Sequence, residues 1–261
     1  MTVALGLDVG ATKIAAARVD AETGEILAAR RIATAPARGT GVVLADCRRL
    51  VTELGDGVPA GLAVCELVDP SGRVRSAETI DWRGVDLLAE FAAVQADVRA
   101  GALAEARFGA GREHPDFLYV TVGSGISHCL MSYGVPRMGV RGAAISTGAP
   151  LVERWSSGLA LARRTGHASA QQALADPEAA DVVEDAARRL GVVLAALVNA
   201  LDPGAVVVGG GLGLHVGYRA LVEETLRAEV YDPEARSLPV LPAALGPDAP
   251  AIGAALAALA G

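Results

Sequence analysis

Leu5-Gly6-Leu7-Asp8-Val9-Gly10-Ala11-Thr12-Lys13 opens the chain with an apolar strand that ends in a carboxylate and a small-residue turn. Lys13 is the only lysine; the other 22 of the 23 strong bases are arginine. An ammonium kept against so arginine-rich a background marks this turn. Asp8, at the strand end, can hold a metal ion or a metal-bound water. Gly10 and Ala11 would let backbone N–H groups lie close to a phosphate, and Thr12 adds a hydroxyl donor. Small residues, a strand end, a carboxylate and a cation together read as a phosphate-and-metal loop. The second glycine and the Gly-Lys-Ser/Thr ending of a Walker A loop are absent. Taken alone, the stretch also reads as a hairpin turn with a surface lysine.

Working outward, Val3–Leu7, Ile14–Val19 and Ile26–Ile32 form a β-meander around that turn. Val42–Leu54 has the apolar spacing of a helix, Ala60–Val64 reads as a strand, and Val85–Ala93 and Ala100–Phe108 read as helices. The pattern breaks at Gly109-Ala110-Gly111. A strand at Phe117–Val122, a tight turn at Gly123-Ser124-Gly125 and a strand at Ile126–Ser132 then repeat the opening arrangement. Asp181–Leu201 is a long amphipathic helix. Ala205–Val208 is a buried strand running into Gly209-Gly210-Gly211, and Ala249–Ala260 closes the chain as a small-residue helix. Strand, glycine turn and strand at the head of both halves predict a duplicated α/β domain, residues 1–112 and 113–248, with a ligand cleft between the copies.

Composition sets limits. Apolar residues make up 52% of 261, enough for a substantial core, and with aromatics at 3% that core is filled by alanine, valine and leucine. The net charge of −7 argues against nucleic-acid and anionic-membrane partners. Cys47, Cys65 and Cys129 are widely spaced, so neither a zinc cluster nor a disulfide framework is indicated. No signal-peptide pattern is seen at the N-terminus, and no apolar run reaches the length of a membrane span. The expectation is a cytoplasmic protein.

A phosphoryl-transfer site needs donors around the phosphates, a metal, and a base near the acceptor hydroxyl. Gly10–Lys13 and Gly123–Ser127 supply two loops, and Gly209–Gly213 a third where a flat base or a ribose could approach the backbone. Three such loops in this order resemble the ROK family of sugar kinases, repressors and open reading frames, which share the actin-like ATPase (ribonuclease H-like) fold. The resemblance runs over nearly the whole chain. Leu7–Lys13 is similar to the family's first phosphate motif and Tyr119–Ile126 to its second. Leu197–Gly213 is similar to the stretch leading to the adenosine site, and Ala251-Ile252-Gly253-Ala254-Ala255 to the closing helix, expected to pack back on the first domain (249–261).

That resemblance implies ATP and Mg²⁺, with Asp8 organising the metal through water. Gly10, Ala11, Thr12, Lys13, Gly123, Ser124 and Gly125 would lie around the phosphates and Gly209, Gly210 and Gly211 beside the adenosine. Asp97 is the matching catalytic base, preceding Ala102-Leu103-Ala104-Glu105-Ala106 in the family's register; an isolated aspartate there would read as a helix N-cap. Departures from the family bear on the acceptor. Ala96 stands for asparagine, Cys65-Glu66 for Pro-Gly, Ser146 and Ala149 for the sugar-binding glutamate and histidine, and the cysteine-rich zinc segment is missing, so no zinc is expected. Glu153 reads as a retained pocket carboxylate. Glu66 reads as a new pocket carboxylate or a solvated loop residue, and Trp82 as a pocket wall or a core side chain. Losing hydrogen-bonding partners weakens an ordinary hexose, so the implied acceptor is a polyol such as a cyclitol or modified sugar, the C7-cyclitol kinases being suitable relatives. A catalytically silent sugar or nucleotide sensor is the alternative. A family repressor's helix-turn-helix would need residues before the first strand at Val3, so DNA is not an expected partner; a homodimer is compatible with the sequence.

Overall fold

The computed structural model of the protein describes residues 2–55, 57–144 and 152–260. The chain divides into two compact units, the first made of residues 1–112, 135–145 and 247–261, the second of 113–134 and 146–246. The residues 135–145, which the sequence pattern assigns to the second half, are grouped with the first.

The first unit is built on β1 (Val3–Val9), β2 (Lys13–Asp20), β3 (Ile26–Ala33), β4 (Ala60–Val64) and β5 (Ala93–Ala96), in the order β3-β2-β1-β4-β5. β1, β4 and β5 are parallel, and β2 runs antiparallel to β1 with Asp8 opposite Ala15. Two helices punctuate the sheet, α1 (Thr40–Gly55) and α2 (Asp97–Phe108). α1 buries Val43, Leu44, Cys47, Leu50 and Leu54, the stripe that a period of 3.6 puts on one face. The last helix of the chain, α8 (Ala249–Ala257), packs on β1, β4 and α2. Its alanines permit that close approach, and so does Gly6: a Cβ there would overlap the Ala251 carbonyl. Val85–Ala93, read as a helix from sequence, is a single 3₁₀ turn at Leu87–Ala89 followed by β5. The Ala92 N–H bonds to the Ala60 carbonyl instead of continuing a helix, so pairing with β4 overrides the local propensity.

The second unit contains β6 (Phe117–Val122), β7 (Ile126–Ser132), α3 (Glu153–Ser156), α4 (Gly158–Thr165), α5 (Ala170–Ala175), α6 (Ala180–Leu201), β9 (Val206–Gly209), α7 (Val216–Glu229) and β10 (Val240–Pro242); the two-residue β8 (Val135–Pro136) follows β7 in the chain and is grouped with the first unit. The strand order within the unit is β10-β9-β6-β7. β10, β9 and β6 are parallel. Leu118, Val120, Val206 and Val208 meet Leu190, Leu194 and Val198 of α6 and Val222 and Leu226 of α7 in one apolar core. Among the described residues no helix is long and apolar enough to cross a membrane.

Candidate functional site

In the first unit the chemistry gathers where the parallel strands end. The C-termini of β1, β4 and β5 carry Asp8, Cys65 and Asp97 in register, because Asp8 pairs with Ala63 and Val64 pairs with Ala96. Asp8 is buried. Burial pushes its carboxyl up to about 7, the negative charge of Asp97 adds to this, Lys13 opposes it, and Asp248 adds a little more. Asp97 is half-buried at the first position of α2, where Val98 N–H donates to its Oδ1 at 2.6 Å. Burial pushes the Asp97 carboxyl up to about 6; the Val98 N–H opposes that, Glu66 adds to it, and Arg99 opposes it. The Cys65 thiol beside them is pushed up to about 12 by burial, with Asp97 adding. Such a thiol stays protonated and is no nucleophile.

The turn between β1 and β2 is held by its own backbone. Gly10 N–H donates to the Lys13 carbonyl at 3.0 Å, the Thr34 hydroxyl donates to the Gly10 carbonyl at 2.8 Å, and Thr34 N–H donates to the Thr12 carbonyl at 3.1 Å. Gly10 therefore closes the turn and has no N–H left for a phosphate. Ala11 and Thr12 are exposed, and among the described residues their N–H groups have no hydrogen-bond partner. They, the Thr12 hydroxyl and Lys13 are the groups this turn presents.

Three residues expected at the acceptor are placed differently from a simple pocket lining. Trp82 is 1% exposed and belongs to the core; one edge borders an open groove of about 750 Å³ between 71–75 and 83–88, whose walls include neither Asp8 nor Asp97. Ala96 is fully buried behind Asp97. Glu66 is no solvated loop residue: it is buried, and both its oxygens accept hydrogen bonds from residues 76–80. Ser146 and Ala149 lie outside the described residues.

In the second unit the work falls to backbone. β6 and β9 are parallel neighbours, and the turn after each is glycine-rich. The Gly123 N–H donates to the Gly125 carbonyl at 2.9 Å. From the other side, α4 fixes the turn, as Gly158 N–H donates to the Gly123 carbonyl at 2.7 Å and Leu159 N–H to the Ser124 carbonyl at 3.3 Å. Ser157 caps α4, its hydroxyl accepting from Ala160 N–H. Ser124 is exposed at the tip. The third loop is tied to the end of β6, because Leu212 and Gly213 N–H both donate to the Val122 carbonyl at 3.0 Å. Gly210 has φ +80°, and a Cβ on it would overlap the Val122 carbonyl. Gly211 is exposed beyond it. Glu153, at the start of α3, stands beside Gly125: a Cβ on that glycine would come within 3.1 Å of Glu153 Oε1.

So one unit gathers Asp8, Lys13, Cys65, Glu66 and Asp97, and the other gathers Gly123–Gly125, Gly209–Gly211 and Glu153. Asp248 and Arg99 complete the first group without having been read from sequence. Asp248 precedes α8 and pairs with Arg31, and Arg99 is a fully buried guanidinium that donates to the Val68 carbonyl. The Asp248-Ala249-Pro250 helix start was the available signal for one; for the other, an arginine two residues after Asp97 was. Among the described residues no three His, Cys, Asp or Glu side chains cluster as a metal cage.

The pattern of the ROK family matches residues 4–152 and 149–260. The bifunctional enzyme NanE/NanK of Brucella melitensis is 32% identical over 179 residues; the match takes in 61% of this chain but only 33% of that longer protein. Kanosamine kinase of Amycolatopsis mediterranei is 30% identical over 283 residues, covering 93% of this chain and 91% of the relative. Among solved structures, a ROK family glucokinase from Streptomyces griseus, in complex with glucose and AMPPNP, superposes with a TM-score of 0.84 at 28% identity, over 99% of this chain and 100% of that one.

Proposed function

The chain belongs to the ROK family, and from that premise we propose that it is an ATP-dependent kinase acting on a hydroxyl of a sugar or sugar-like cyclitol. Its α/β units carry the actin-like ATPase fold of the family's kinases. The observation that carries the proposal is Asp97: a half-buried carboxylate at a strand end, held near neutrality rather than at the ordinary value of an aspartate. A general base works best with a pKa close to the operating pH. As the acceptor oxygen bonds to the γ-phosphorus and ADP departs, the hydroxyl proton passes to an Asp97 oxygen. Kinase names among relatives, glucokinase and kanosamine kinase included, support this reading over a silent sensor.

The donor set suits Mg²⁺. That ion is held by one or two carboxylates together with water and substrate phosphates, not by an all-protein cage. Asp8 is one such carboxylate, buried and lifted to about 7 by burial and by like charge, which a cation would relieve. Mg²⁺ there would offset charge on the transferring phosphoryl group. Ala11 and Thr12 N–H and Lys13 would meet phosphate oxygens. The tips of the two glycine turns, exposed at Ser124 and Gly211, would take phosphate and adenosine.

For the acceptor, a modified sugar or cyclitol fits better than glucose. Ala96 offers no polar group, and Ser146 and Ala149 replace hydrogen-bonding residues. Each lost bond costs about 0.5–1.5 kcal/mol net, so three weaken a glucose-like ligand by roughly one to three orders of magnitude. An ADP-release assay across glucose, N-acetylglucosamine, N-acetylmannosamine, an amino sugar such as kanosamine and a valiolone-type cyclitol tests both claims. ADP formation with none of them would remove the kinase reading. A glucose kcat/KM at or above roughly 10⁵ M⁻¹s⁻¹, in the ordinary enzyme range, would remove the acceptor preference alone.

A further inference from the structure

Granted the kinase reading of the Asp97 edge, we propose that Glu66 is a positioning residue, whose buried carboxylate pins the Ser76–Ile80 segment to the end of β4 and so fixes one wall of the acceptor site beside Asp97. Glu66 is 3% exposed and immediately follows Cys65 at the β4 terminus. Its Oε2 accepts from the Ser76 hydroxyl and, at 3.0 Å, from Glu78 N–H; its Oε1 accepts from Thr79 N–H at 2.7 Å and Ile80 N–H at 3.0 Å. Three consecutive backbone N–H groups converging on one anion make a nest of the kind that binds phosphates. Here the anion is the protein's own.

The path of the chain shows what the nest holds. After Glu66 the backbone runs out along a hairpin, Leu67 to Arg75, closed by Asp69 N–H to the Arg73 carbonyl at 2.9 Å and Arg75 N–H to the Leu67 carbonyl at 2.7 Å. Ser76 returns beside Glu66, and its hydroxyl oxygen also accepts Leu67 N–H at 2.9 Å. Residues 78–80 belong to no helix or strand. The carboxylate does for them what a sheet ladder does elsewhere. Beyond them Trp82 enters the core and the Asp81 carbonyl accepts from the Thr40 hydroxyl. Thr79, held by the nest, lies close enough to act on the Cys65 thiol, on which Asp97 also acts. Releasing the nest would therefore displace Thr79 and Cys65 beside the base while leaving the Gly10–Lys13 turn alone. With four donors already on its two oxygens, Glu66 acts on the substrate through the wall it holds.

Glu66→Gln tests this at nearly constant volume. The amide nitrogen cannot accept, so two of the four donors lose their partner. The KM for the best acceptor should rise roughly 10-fold or more, while the KM for ATP stays within about 2-fold. In the same variant, amide hydrogen exchange at Glu78, Thr79 and Ile80 should quicken by roughly 10-fold or more; in the wild-type protein these amides should exchange slowly although they lie outside regular structure. An unchanged acceptor KM, or equal rises in both KM values, overturns the assignment. If Glu66→Gln does not fold, the wild-type exchange rates decide, and Ser76→Ala, which removes one of the four bonds, should give the same pattern at smaller size. Fast exchange at 78–80 in an active wild-type enzyme overturns the Glu66 assignment alone. Slow exchange in a protein that phosphorylates no acceptor overturns the kinase reading, and the role of Glu66 with it.

Discussion

The two units place their candidate groups alike, near the C-terminal ends of parallel strands, yet they do so with opposite materials. The first uses side chains with charge: Asp8, Asp97, Glu66 and Lys13, three of them carboxylates. The second uses the absence of side chains, with glycine turns whose exposed tips are Ser124 and Gly211. A charged edge should respond to pH, metal and isosteric neutralisation. A backbone edge should be indifferent to these and sensitive to a single methyl group. Four substitutions can break or sharpen that contrast.

The largest effect is expected from Asp97→Asn. The shape is kept and the proton acceptor is lost, so turnover should fall by roughly 10²–10⁴-fold with the affinity for ATP nearly unchanged. In the wild type, kcat/KM should rise with pH through about 6, since the base must be ionised and burial holds it up there. The variant should lack that limb. Near wild-type turnover in Asp97→Asn would leave the residue as a first-turn acid of α2 and nothing more.

Gly210→Ala comes second. Its φ of +80° is strained for any residue with a Cβ, and the added carbon overlaps the Val122 carbonyl, which already receives Leu212 and Gly213 N–H. Strain and displaced backbone together should cost about 2–4 kcal/mol. Thermal unfolding should show a clear drop in Tm, unaltered by pH between 5 and 8. A Tm equal to wild type would mean the third loop is not fastened to β6 as described.

How much of this contrast was legible beforehand differs between the edges. The glycine loops stand out in the sequence because each interrupts an apolar strand, and Asp97 stands out by its register with the helix that follows. The carboxylate environment does not. Glu66 draws its donors from residues 10 to 14 positions later in the chain, and Asp248 acts on Asp8 from the far end of the sequence. No local pattern encodes either. β5 was hidden for a related reason: the helical spacing of Val85–Ala93 runs into its first residue, and only the pairing of Ala93–Ala96 with β4 makes the strand. Gly10 shows the limit within a motif. It is small enough for a phosphate loop, but its N–H is engaged by the Lys13 carbonyl.

Asp8→Asn should change stability in the direction opposite to most polar substitutions. The folded-state pKa of Asp8 lies near 7, above the unfolded value of 3.8. Stability linked to this group is fully present below about 3.8 and is lost as pH rises through about 7. Without divalent metal, the neutral variant should thus be more stable than wild type at pH 8, by about 1–3 kcal/mol, and equal to it near pH 3.5. Mg²⁺ with nucleotide should raise the Tm of wild type and do much less for the variant. A variant less stable at pH 8 without metal would show that the Asp8 carboxylate is held by partners rather than disfavoured by burial and by the Asp97 charge.

The smallest effect on folding, and the one that isolates the backbone edge, is expected from Gly123→Ala. Unlike Gly210, this glycine does not have a positive φ, and a Cβ on it would meet nothing within 4 Å among the described residues. Its N–H and carbonyl are already engaged, by Gly125 and Gly158, and a methyl group disturbs neither bond. Stability should move by no more than about 0.5 kcal/mol in either direction. The open space around the methyl is where a phosphate would approach the turn if the second loop binds nucleotide, since glycine serves where backbone and ligand come close. The KM for ATP should then rise several-fold while the Tm and the acceptor KM stay put. An unchanged ATP KM would leave Gly123 as a turn residue only and move the nucleotide contacts of this unit to Ser124 and the third loop.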